Sequence, residues 1–166
     1  QLLTCIERVL STSEAAEQPD AARAHENTSE RRLAGLRLLV VDDNALNREV
    51  AQEMLWDEGA QVDLASGGRE GAAMALQANP PYDAILMDMQ MPEVDGLQAT
   101  RMIRADGAGA KLIIIAMTAN ASKADRDLCI AAGMDDHLGK PIDLDILVAK
   151  ICQIIRQPEP SAVKTI

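Results

Sequence analysis

Positive charge is scarce in this chain of 166 residues, in which 16 Lys and Arg face 26 Asp and Glu and the formal net charge is −10. The basic residues are also scattered, so no patch resembles the electrostatic footprint that nucleic-acid binding requires. The sequence therefore excludes DNA binding by this chain, and we expect no nucleic-acid partner.

Cysteines and long apolar runs are also few. Cys5, Cys129 and Cys152 lie far apart, without a CxxC pair or a neighbouring histidine cluster, which excludes a zinc site and indicates reduced, structural thiols. The longest apolar run, Leu112 to Met117, is far too short to span a bilayer, and the N-terminus lacks the parts of a signal peptide. We therefore expect a cytoplasmic domain without direct membrane contact.

Composition divides the chain into four parts. Residues 1–10 place apolar side chains at helical spacing and predict a helix, whereas residues 11–35 are mostly polar and predict a flexible linker. Residues 36–157 are the predicted folded domain, and residues 158–166 are a tail, because two prolines there end the last helix. The chain begins with Gln, which suggests a piece of a longer polypeptide.

Within the folded part, short apolar runs alternate with segments of helical period. The runs are LRLLVV, QVDLA, AILMD, KLIIIAMT and DHLGK, and the helical segments begin near Ala45, Ser66, Gly96, Ser122 and Asp143. Successive β-α units predict an α/β fold with a parallel sheet between two layers of helices, because parallel strands need crossover connections. Gly59 and Gly133 mark the expected ends of the first and fourth helices.

Two further stretches need interpretation. The first predicted helix carries an apolar stripe of Leu46, Val50 and Met54, and Trp56 falls beside it, where a partly buried side chain is the commoner outcome. The segment SGGREGAA, residues 66–73, imitates a phosphate-binding loop, but its spacing fits neither the dinucleotide fingerprint nor a P-loop. We therefore do not expect nucleotide binding.

Polar side chains follow the ends of four predicted strands, with Asp42 and Asp43 after the first, Asp88 after the third, Thr118 after the fourth and Lys140 after the fifth. A single acid in such a place is more often a helix cap or a turn residue. These ends, however, should meet in one crevice at the carboxyl edge of the sheet. Carboxylates about 4 Å apart repel by roughly 4 kcal/mol, so the cluster requires raised pKa values or a cation. Oxygen ligands of this kind predict Mg²⁺.

The motifs LLVVDDN, ILMDMQMPEVDG, AMTANA and GKP, in this order and spacing, resemble those of a response-regulator receiver domain. The resemblance implies a flavodoxin-like, doubly wound, five-stranded parallel sheet of order 2-1-3-4-5 with helices on both faces. It also implies a phosphorelay function, in which Asp88 accepts a phosphoryl group from a histidine kinase core or a histidine phosphotransfer domain and the domain then switches conformation. A receiver catalyses its own phosphorylation and dephosphorylation.

The resemblance also assigns roles to the residues around Asp88. Such residues are needed because a carboxylate is a weak nucleophile towards phosphorus unless the phosphoryl oxygens are neutralised and held in line. Lys140 would offer a charge and Thr118 a hydroxyl to those oxygens, and Pro141 would follow a cis peptide bond. Pro92 and Gly96 would shape the loop after the acceptor, the glycine because a tight return needs unusual φ and ψ. The implied ligands of Mg²⁺ are the side chains of Asp42, Asp43 and Asp88 and the backbone carbonyl of Gln90.

One position departs from the family pattern. His137 stands where receivers usually carry Tyr or Phe as the partner of Thr118 in the conformational switch. A histidine can still move between buried and exposed positions, but its charge can titrate near neutral pH. The implied switch pair is therefore Thr118 and His137, with a coupling that differs from the usual one.

Several stretches, among them ALNREVAQEML and AAGMDDHLGKPIDLDIL, resemble receivers on the C-terminal side of hybrid sensor histidine kinases. Such a parent would hold a kinase core, with or without an inner-membrane anchor. Residues 1–10 then resemble the closing helix of an upstream receiver. Without the sheet of that receiver its apolar stripe would be exposed and would give weak self-association. The alternative is a frayed terminus.

Three other functions are alternatives to a hybrid-kinase receiver. One is a stand-alone single-domain response regulator. A haloacid-dehalogenase-type phosphatase is disfavoured, because Gln90 stands where that family needs a second acid. A degenerate receiver is disfavoured because Asp43, Asp88, Thr118 and Lys140 are all present.

Overall fold

The computed structural model describes residues 31–156, so the predicted helix 1–10, residues 11–30 of the predicted linker and the tail lie outside the described residues. Strands and helices alternate as predicted. In chain order they are β1 (Arg37–Val41), α1 (Ala45–Asp57), β2 (Gln61–Ala65), α2 (Gly68–Gln77), β3 (Ala84–Asp88), α3 (Gly96–Ala105), a 3₁₀ turn (Gly107–Gly109), β4 (Ile114–Thr118), α4 (Lys123–Ala132), β5 (Asp136–Gly139) and α5 (Leu144–Arg156). None of the helices in this range is both long and apolar enough to cross a membrane.

The strands form one parallel sheet of order β2-β1-β3-β4-β5, which confirms the predicted topology. The strand order reverses between β1 and β3, where Val41 pairs with Met87. Asp42 and Asp88, the next residues of the two strands, therefore lie side by side at the carboxyl edge. This is the switch point at which open α/β sheets bind their ligands.

Each face of the sheet is covered by its own hydrophobic core. Leu39 and Val41 point to a core shared with α2, α3 and α4, while Leu38 and Val40 point to a second core shared with α1 and α5. Because successive strand residues face opposite sides and both sides are buried, the central strands are apolar throughout. The sheet thereby holds its carboxyl edge rigidly.

The helix boundaries agree with the capping signals in the sequence. Asn44 and Ser122 accept hydrogen bonds from the first-turn N–H groups of α1 and α4 through their side chains. Gly59 and Gly133, with φ of 90° and 101°, adopt the left-handed conformation at the ends of these helices, as predicted.

Gly96 is needed for a different reason from the one expected. Its φ is not positive, and the left-handed residue of the loop after β3 is Glu93, with φ of 64°. A Cβ at position 96 would overlap the carbonyl oxygen of Asp88, so only glycine lets the start of α3 approach the end of β3 this closely.

Packing begins upstream of the predicted boundary at Leu36. Leu33 is completely buried in the core below α1 and α5, and its N–H donates to the carbonyl of Glu58 at 3.0 Å. Arg32 holds the Glu58 carboxylate through two side-chain hydrogen bonds of 2.9 and 2.6 Å and reaches Asp145 of α5 at 2.9 Å. Residues 31–35, predicted as the end of the linker, are therefore part of the packed domain.

The apolar stripe of α1 faces outward. Leu46 is 65% exposed and Val50 is 48% exposed, because α1 buries Ala51 and Leu55 against the sheet instead. Trp56 is also exposed rather than partly buried as predicted. The helix thus presents an apolar surface next to the carboxyl edge of the sheet.

Candidate functional site

The structure brings the acidic strand-end residues together. Asp42 and Asp88 are almost fully buried, at 1% and 4% exposure, whereas Asp43 is exposed. Carboxylate oxygens from these three residues lie within 4.8 Å of one another. Sequence reasoning thus located the cluster correctly from the strand ends alone.

Lys140 lies between two of these acids. Its Nζ is 3.0 Å from Asp42 Oδ2 and 3.0 Å from Asp88 Oδ1. Its backbone N–H donates to the carbonyl of Thr118 at 2.7 Å, which fixes the end of β5 against β4, and the peptide bond to Pro141 is cis, as the resemblance implied. The ammonium therefore acts as a counter-charge for the buried carboxylates.

Burial and charge together set the protonation equilibria of the pair. Burial raises the pKa of Asp88, and the nearby charge of Asp42 adds to this, so that the hydrogen bond from Lys140 does not bring the pKa back. Burial alone would lower the pKa of Lys140, but its hydrogen bonds to Asp42 and Asp88 raise it. The lysine thus stays charged, while negative charge on Asp88 is held at a cost.

Three groups at the start of α1 hold Asp42, and sequence reasoning missed them. The N–H of Asn44 donates to Oδ1 at 2.9 Å, and Asn47 Nδ2 lies 3.3 and 3.4 Å from the two carboxylate oxygens. Arg48 Nη1 donates to the backbone carbonyl of Asp42 at 2.6 Å. Asn44 could have been found as a helix cap, but the directions of the longer side chains depend on tertiary structure.

Thr118 and Gln90 lie beside the cluster in different ways. The Thr118 hydroxyl donates to the carbonyl of Asn120 at 2.7 Å and accepts from the N–H of Asn120 at 3.2 Å, so it is engaged with the loop after β4. The N–H of Gln90 donates to Asp88 Oδ1 at 3.3 Å. This contact is made by the N–H of Gln90, and the expected role of its backbone carbonyl as a metal ligand stays a prediction.

His137 lies apart from the acid cluster, in the middle of β5, where it pairs with Ala116 of β4. Its side chain is 20% exposed, and Nδ1 is 3.5 Å from Asp136 Oδ1. Asp136 in turn accepts a hydrogen bond from Lys150 Nζ at 2.7 Å. Burial alone would raise the pKa of Asp136, but this bond lowers it.

The donor set at the carboxyl edge fits a hard divalent cation. It consists of carboxylate oxygens without a histidine or cysteine ligand among the described residues that form the cluster. The ammonium of Lys140 pairs with two of the three carboxylates, so negative charge remains in excess within the cluster. The exposed carboxylate of Asp43 leaves the cluster accessible from solvent.

Comparisons with known proteins agree with this geometry. Residues 38–152 match the family described as Response regulator receiver domain. The chain is similar to Hybrid signal transduction histidine kinase L of Dictyostelium discoideum, at 41% identity over 125 residues that cover 73% of this chain and 7% of that kinase. It is also similar to Response regulator MprA of Mycolicibacterium vanbaalenii, at 38% identity over 125 residues that cover 75% of this chain and 52% of that protein. The chain thus spans about half of one relative and a small part of the other.

Two solved structures extend the comparison. The receiver domain of sensor histidine kinase PA1611 from Pseudomonas aeruginosa PAO1, crystallised with a magnesium ion coordinated in the active-site cleft, is 41% identical with a TM-score of 0.68, over 75% of this chain and 100% of that one. The receiver domain of Ssk1 from Saccharomyces cerevisiae, co-crystallised with the histidine phosphotransfer protein Ypd1, is 27% identical with a TM-score of 0.66, over 73% and 89%.

The match to the family extends over most of the chain and contains every strand-end residue described above. Its relatives include a hybrid histidine kinase and a response regulator, which are proteins of two-component signalling. The chain belongs to the response regulator receiver domain family.

Proposed function

We propose that Asp88 is the phosphoacceptor of a two-component phosphorelay and that the groups around it position the incoming phosphoryl group. The observation that carries this assignment is the ammonium of Lys140, 3.0 Å from both Asp88 and Asp42. It holds a positive charge within reach of any group that is bonded to Asp88. The sheet fixes Asp88 through the pairing of β3 with β4, where it lies opposite Met117.

The transfer is a displacement at phosphorus. A carboxylate oxygen of Asp88 attacks the phosphorus of a phosphohistidine, the P–N bond breaks, and the imidazole nitrogen keeps its electron pair, leaving an acyl phosphate on Asp88. Lys140 would turn from the carboxylates to one phosphoryl oxygen, and the Thr118 hydroxyl would leave Asn120 for another. Stabilising these oxygens is the main catalytic task, because the reaction itself needs little covalent assistance.

The same site would hold Mg²⁺ through the carboxylates of Asp42, Asp43 and Asp88, with the backbone carbonyl of Gln90 as a further oxygen ligand. When bound, the cation supplies positive charge for the phosphoryl oxygens. Support comes from the carboxylate oxygens within 4.8 Å of one another and from the magnesium ion in the cleft of the PA1611 receiver domain.

Phosphohistidine partners would dock on the apolar surface of α1. A groove of about 230 Å³ is lined by Leu46, Val50 and Met54 together with Pro141 and Ile142, and Asp42 and Lys140 of the site also line it. A helical partner seated there would bring its histidine close to Asp88. The complex of Ssk1 with Ypd1 shows that a related receiver domain binds a histidine phosphotransfer protein.

The parent protein would be a hybrid sensor histidine kinase with this receiver in the cytoplasm, as the similarity to a hybrid kinase supports. A stand-alone regulator is the alternative, since MprA is also related. Full-length sequence upstream of residue 1 would decide between them, because a hybrid kinase must encode a kinase core there.

Labelling with acetyl phosphate tests the assignment of Asp88. In the presence of Mg²⁺, intact-mass measurement should show one phosphoryl group on the wild-type domain and none on Asp88→Asn, whereas exposed Asp127→Asn should label normally. Uptake of a phosphoryl group by Asp88→Asn at the normal rate would show that the acceptor lies elsewhere. Steady turnover of other phosphoesters would instead indicate a phosphatase. A wild-type domain that is folded but takes up no phosphoryl group would indicate a degenerate receiver.

The docking surface has its own test. Leu46→Ser should slow phosphotransfer from a charged histidine phosphotransfer domain that labels the wild type, while labelling by acetyl phosphate is retained. The matched control is Leu128→Ser on α4, which is 52% exposed and lies outside the groove. Equal transfer to both variants would exclude α1 as the docking site.

A further inference from the structure

Arg48 is charged, lies next to the acid cluster and has no part in the phosphotransfer described above. It follows the first turn of α1, where its N–H donates to the carbonyl of Asn44, the helix cap, at 3.2 Å. Its half-buried side chain turns back over the loop and donates from Nη1 to the carbonyl oxygen of Asp42 at 2.6 Å. A charged donor makes this a stronger bond than one between neutral groups.

The oxygen that Arg48 holds belongs to the peptide group that joins Asp42 to Asp43. Because a peptide group is planar, fixing its oxygen also fixes the direction in which the chain enters Asp43. Two further hydrogen bonds restrain Asp42. Its backbone N–H donates to the carbonyl of Ala65 at 3.2 Å, and its Oδ1 accepts from the N–H of Asn44 at 2.9 Å. The backbone before Asp43 thus has little freedom.

Asp43 depends on this restraint more than its two neighbours do. The side chains of Asp42 and Asp88 are buried and bonded to Lys140, whereas Asp43 is exposed. An exposed side chain is placed mainly by the backbone that carries it, since packing does not confine its rotamers. The position of the Asp43 carboxylate therefore follows from the peptide group that Arg48 holds.

From this arrangement we propose that Arg48 is a positioning residue for the cation site. By fixing the Asp42–Asp43 peptide group, Arg48 raises the affinity for Mg²⁺, although the guanidinium and the cation are both positively charged. The inference rests on the proposed function for the identity of the cation. Outer-shell partners of metal ligands typically contribute 10- to 100-fold in affinity. Here we expect about tenfold, the lower end of that range, because the restraint acts through the backbone.

The sign of the effect separates positioning from simple electrostatics. Hydrogen bonds from Ser66 are the main cause that lowers the pKa of Glu70, and the charge of Arg48 contributes a smaller part, so the guanidinium also acts through its charge. Removing a positive charge from the surroundings of a cation site should tighten cation binding if charge alone matters. Removing the restraint on Asp43 should weaken it.

The experiment is a Mg²⁺ titration of the domain without a phosphodonor, followed by the amide signals of Asp43 and Asp88 in ¹⁵N NMR spectra. Arg48→Met, which keeps an unbranched apolar side chain but loses the guanidinium with its charge and donors, should raise the Kd for Mg²⁺ about tenfold. Arg48→Lys, which keeps the charge and one donor group, should recover part of the affinity. The matched control is Arg69→Met at the exposed start of α2, which removes the same charge and should not weaken binding.

Tighter or unchanged binding by Arg48→Met would overturn the proposal, as would equal weakening by Arg69→Met. If Arg48→Met does not fold, the Kd of folded Arg48→Lys decides, since an affinity equal to that of the wild type would also overturn it. Labelling by acetyl phosphate gives a second readout, in which Arg48→Met needs about tenfold more Mg²⁺ for half-maximal rate. If the wild-type domain binds Mg²⁺ but is never labelled by acetyl phosphate, the proposed function is contradicted. The test of Arg48 still holds in that case, because the Mg²⁺ titration does not depend on phosphorylation.

Discussion

Replacing Lys140 by Met should destabilise the metal-free domain and at the same time strengthen its response to Mg²⁺. The substitution keeps an unbranched apolar stem of four atoms and removes the ammonium that lies 3.0 Å from Asp42 and Asp88. Those carboxylates are 1% and 4% exposed, so water can replace the lost partner only in part. A divalent cation would replace it, because the proposed Mg²⁺ site uses oxygens of the same two carboxylates.

The magnitude follows from the burial of the three groups. Removing one partner from a fully buried ion pair costs about 3–5 kcal/mol. The Lys140 side chain is 25% exposed, so solvent screens part of the interaction and we expect about 2 kcal/mol. In a domain of this size such a loss lowers the Tm by roughly 6–10 °C. The effect is a substantial part of the 5–15 kcal/mol that stabilises a typical domain.

The loss should depend on pH in a defined direction. The pKa of Asp88 is already raised, chiefly by burial, and loss of the ammonium would raise it further. An acid whose pKa is higher in the folded state gains stability as the pH falls through that value. The difference between Lys140→Met and wild type should therefore be largest at neutral pH and shrink on acidification.

The assay is thermal and urea unfolding in EDTA and over a series of Mg²⁺ concentrations, with exposed Lys123→Met on α4 as the control. A ligand at 100 times its Kd adds about 2.7 kcal/mol to the free energy of unfolding. Saturating Mg²⁺ should therefore bring the variant close to the stability that the wild type has in EDTA. Labelling by acetyl phosphate should nevertheless fall, because the charge for the phosphoryl oxygens is gone. Unchanged stability in EDTA, or a Mg²⁺ response no larger than that of the wild type, would refute the idea that Lys140 is the counter-charge.

Other predictions concern the edges of the domain and the switch. Leu33→Ala should lower the free energy of unfolding by about 2–5 kcal/mol in urea, because Leu33 is fully buried, whereas a change as small as that of exposed Arg31→Ala would place Leu33 outside the core. Hydrogen bonds from Arg32 lower the pKa of Glu58 from 4.5, so the pair stabilises the fold above that value. The wild type should therefore unfold at a higher urea midpoint than Glu58→Gln, and this difference should shrink as the pH falls below 4.5. A difference in midpoint that persists at lower pH would contradict the proposed effect of the Arg32–Glu58 pair. Finally, His137→Ala should label normally but lose the NMR shift changes on α4, β5 and α5 that phosphorylation induces, and full retention of those changes would exclude His137 from the switch.

Strand ends were the part of the site that could be read from the sequence. Apolar runs buried on both faces have a clear composition, and the residue after each run is fixed by the chain itself. Parallel strands bring their carboxyl ends to one edge, so Asp42, Asp88 and Lys140 had to meet there once the topology was known. The prediction succeeded because local pattern and global topology agree.

The contacts made by long side chains could not be read in this way. Arg48 and Asn47 lie within a helical pattern, where their spacing gives no sign that they turn back to Asp42. Leu33 is a single apolar residue in a polar stretch, and only the space between the end of α1 and α5 makes it part of the core. The reason for Gly96 was misread because a close approach between segments leaves no mark on local conformation.

The sequence by itself therefore determined the order of strands and helices, the two cores and the acids at the edge of the sheet, because these follow from periodicity and from the rules of parallel connection. Only the tertiary structure decided which way the α1 stripe faces, where packing begins and which groups hold Asp42 in place. These depend on distances between residues remote in the chain. Such distances are set when whole elements pack together, and a pattern of neighbouring residues does not encode them.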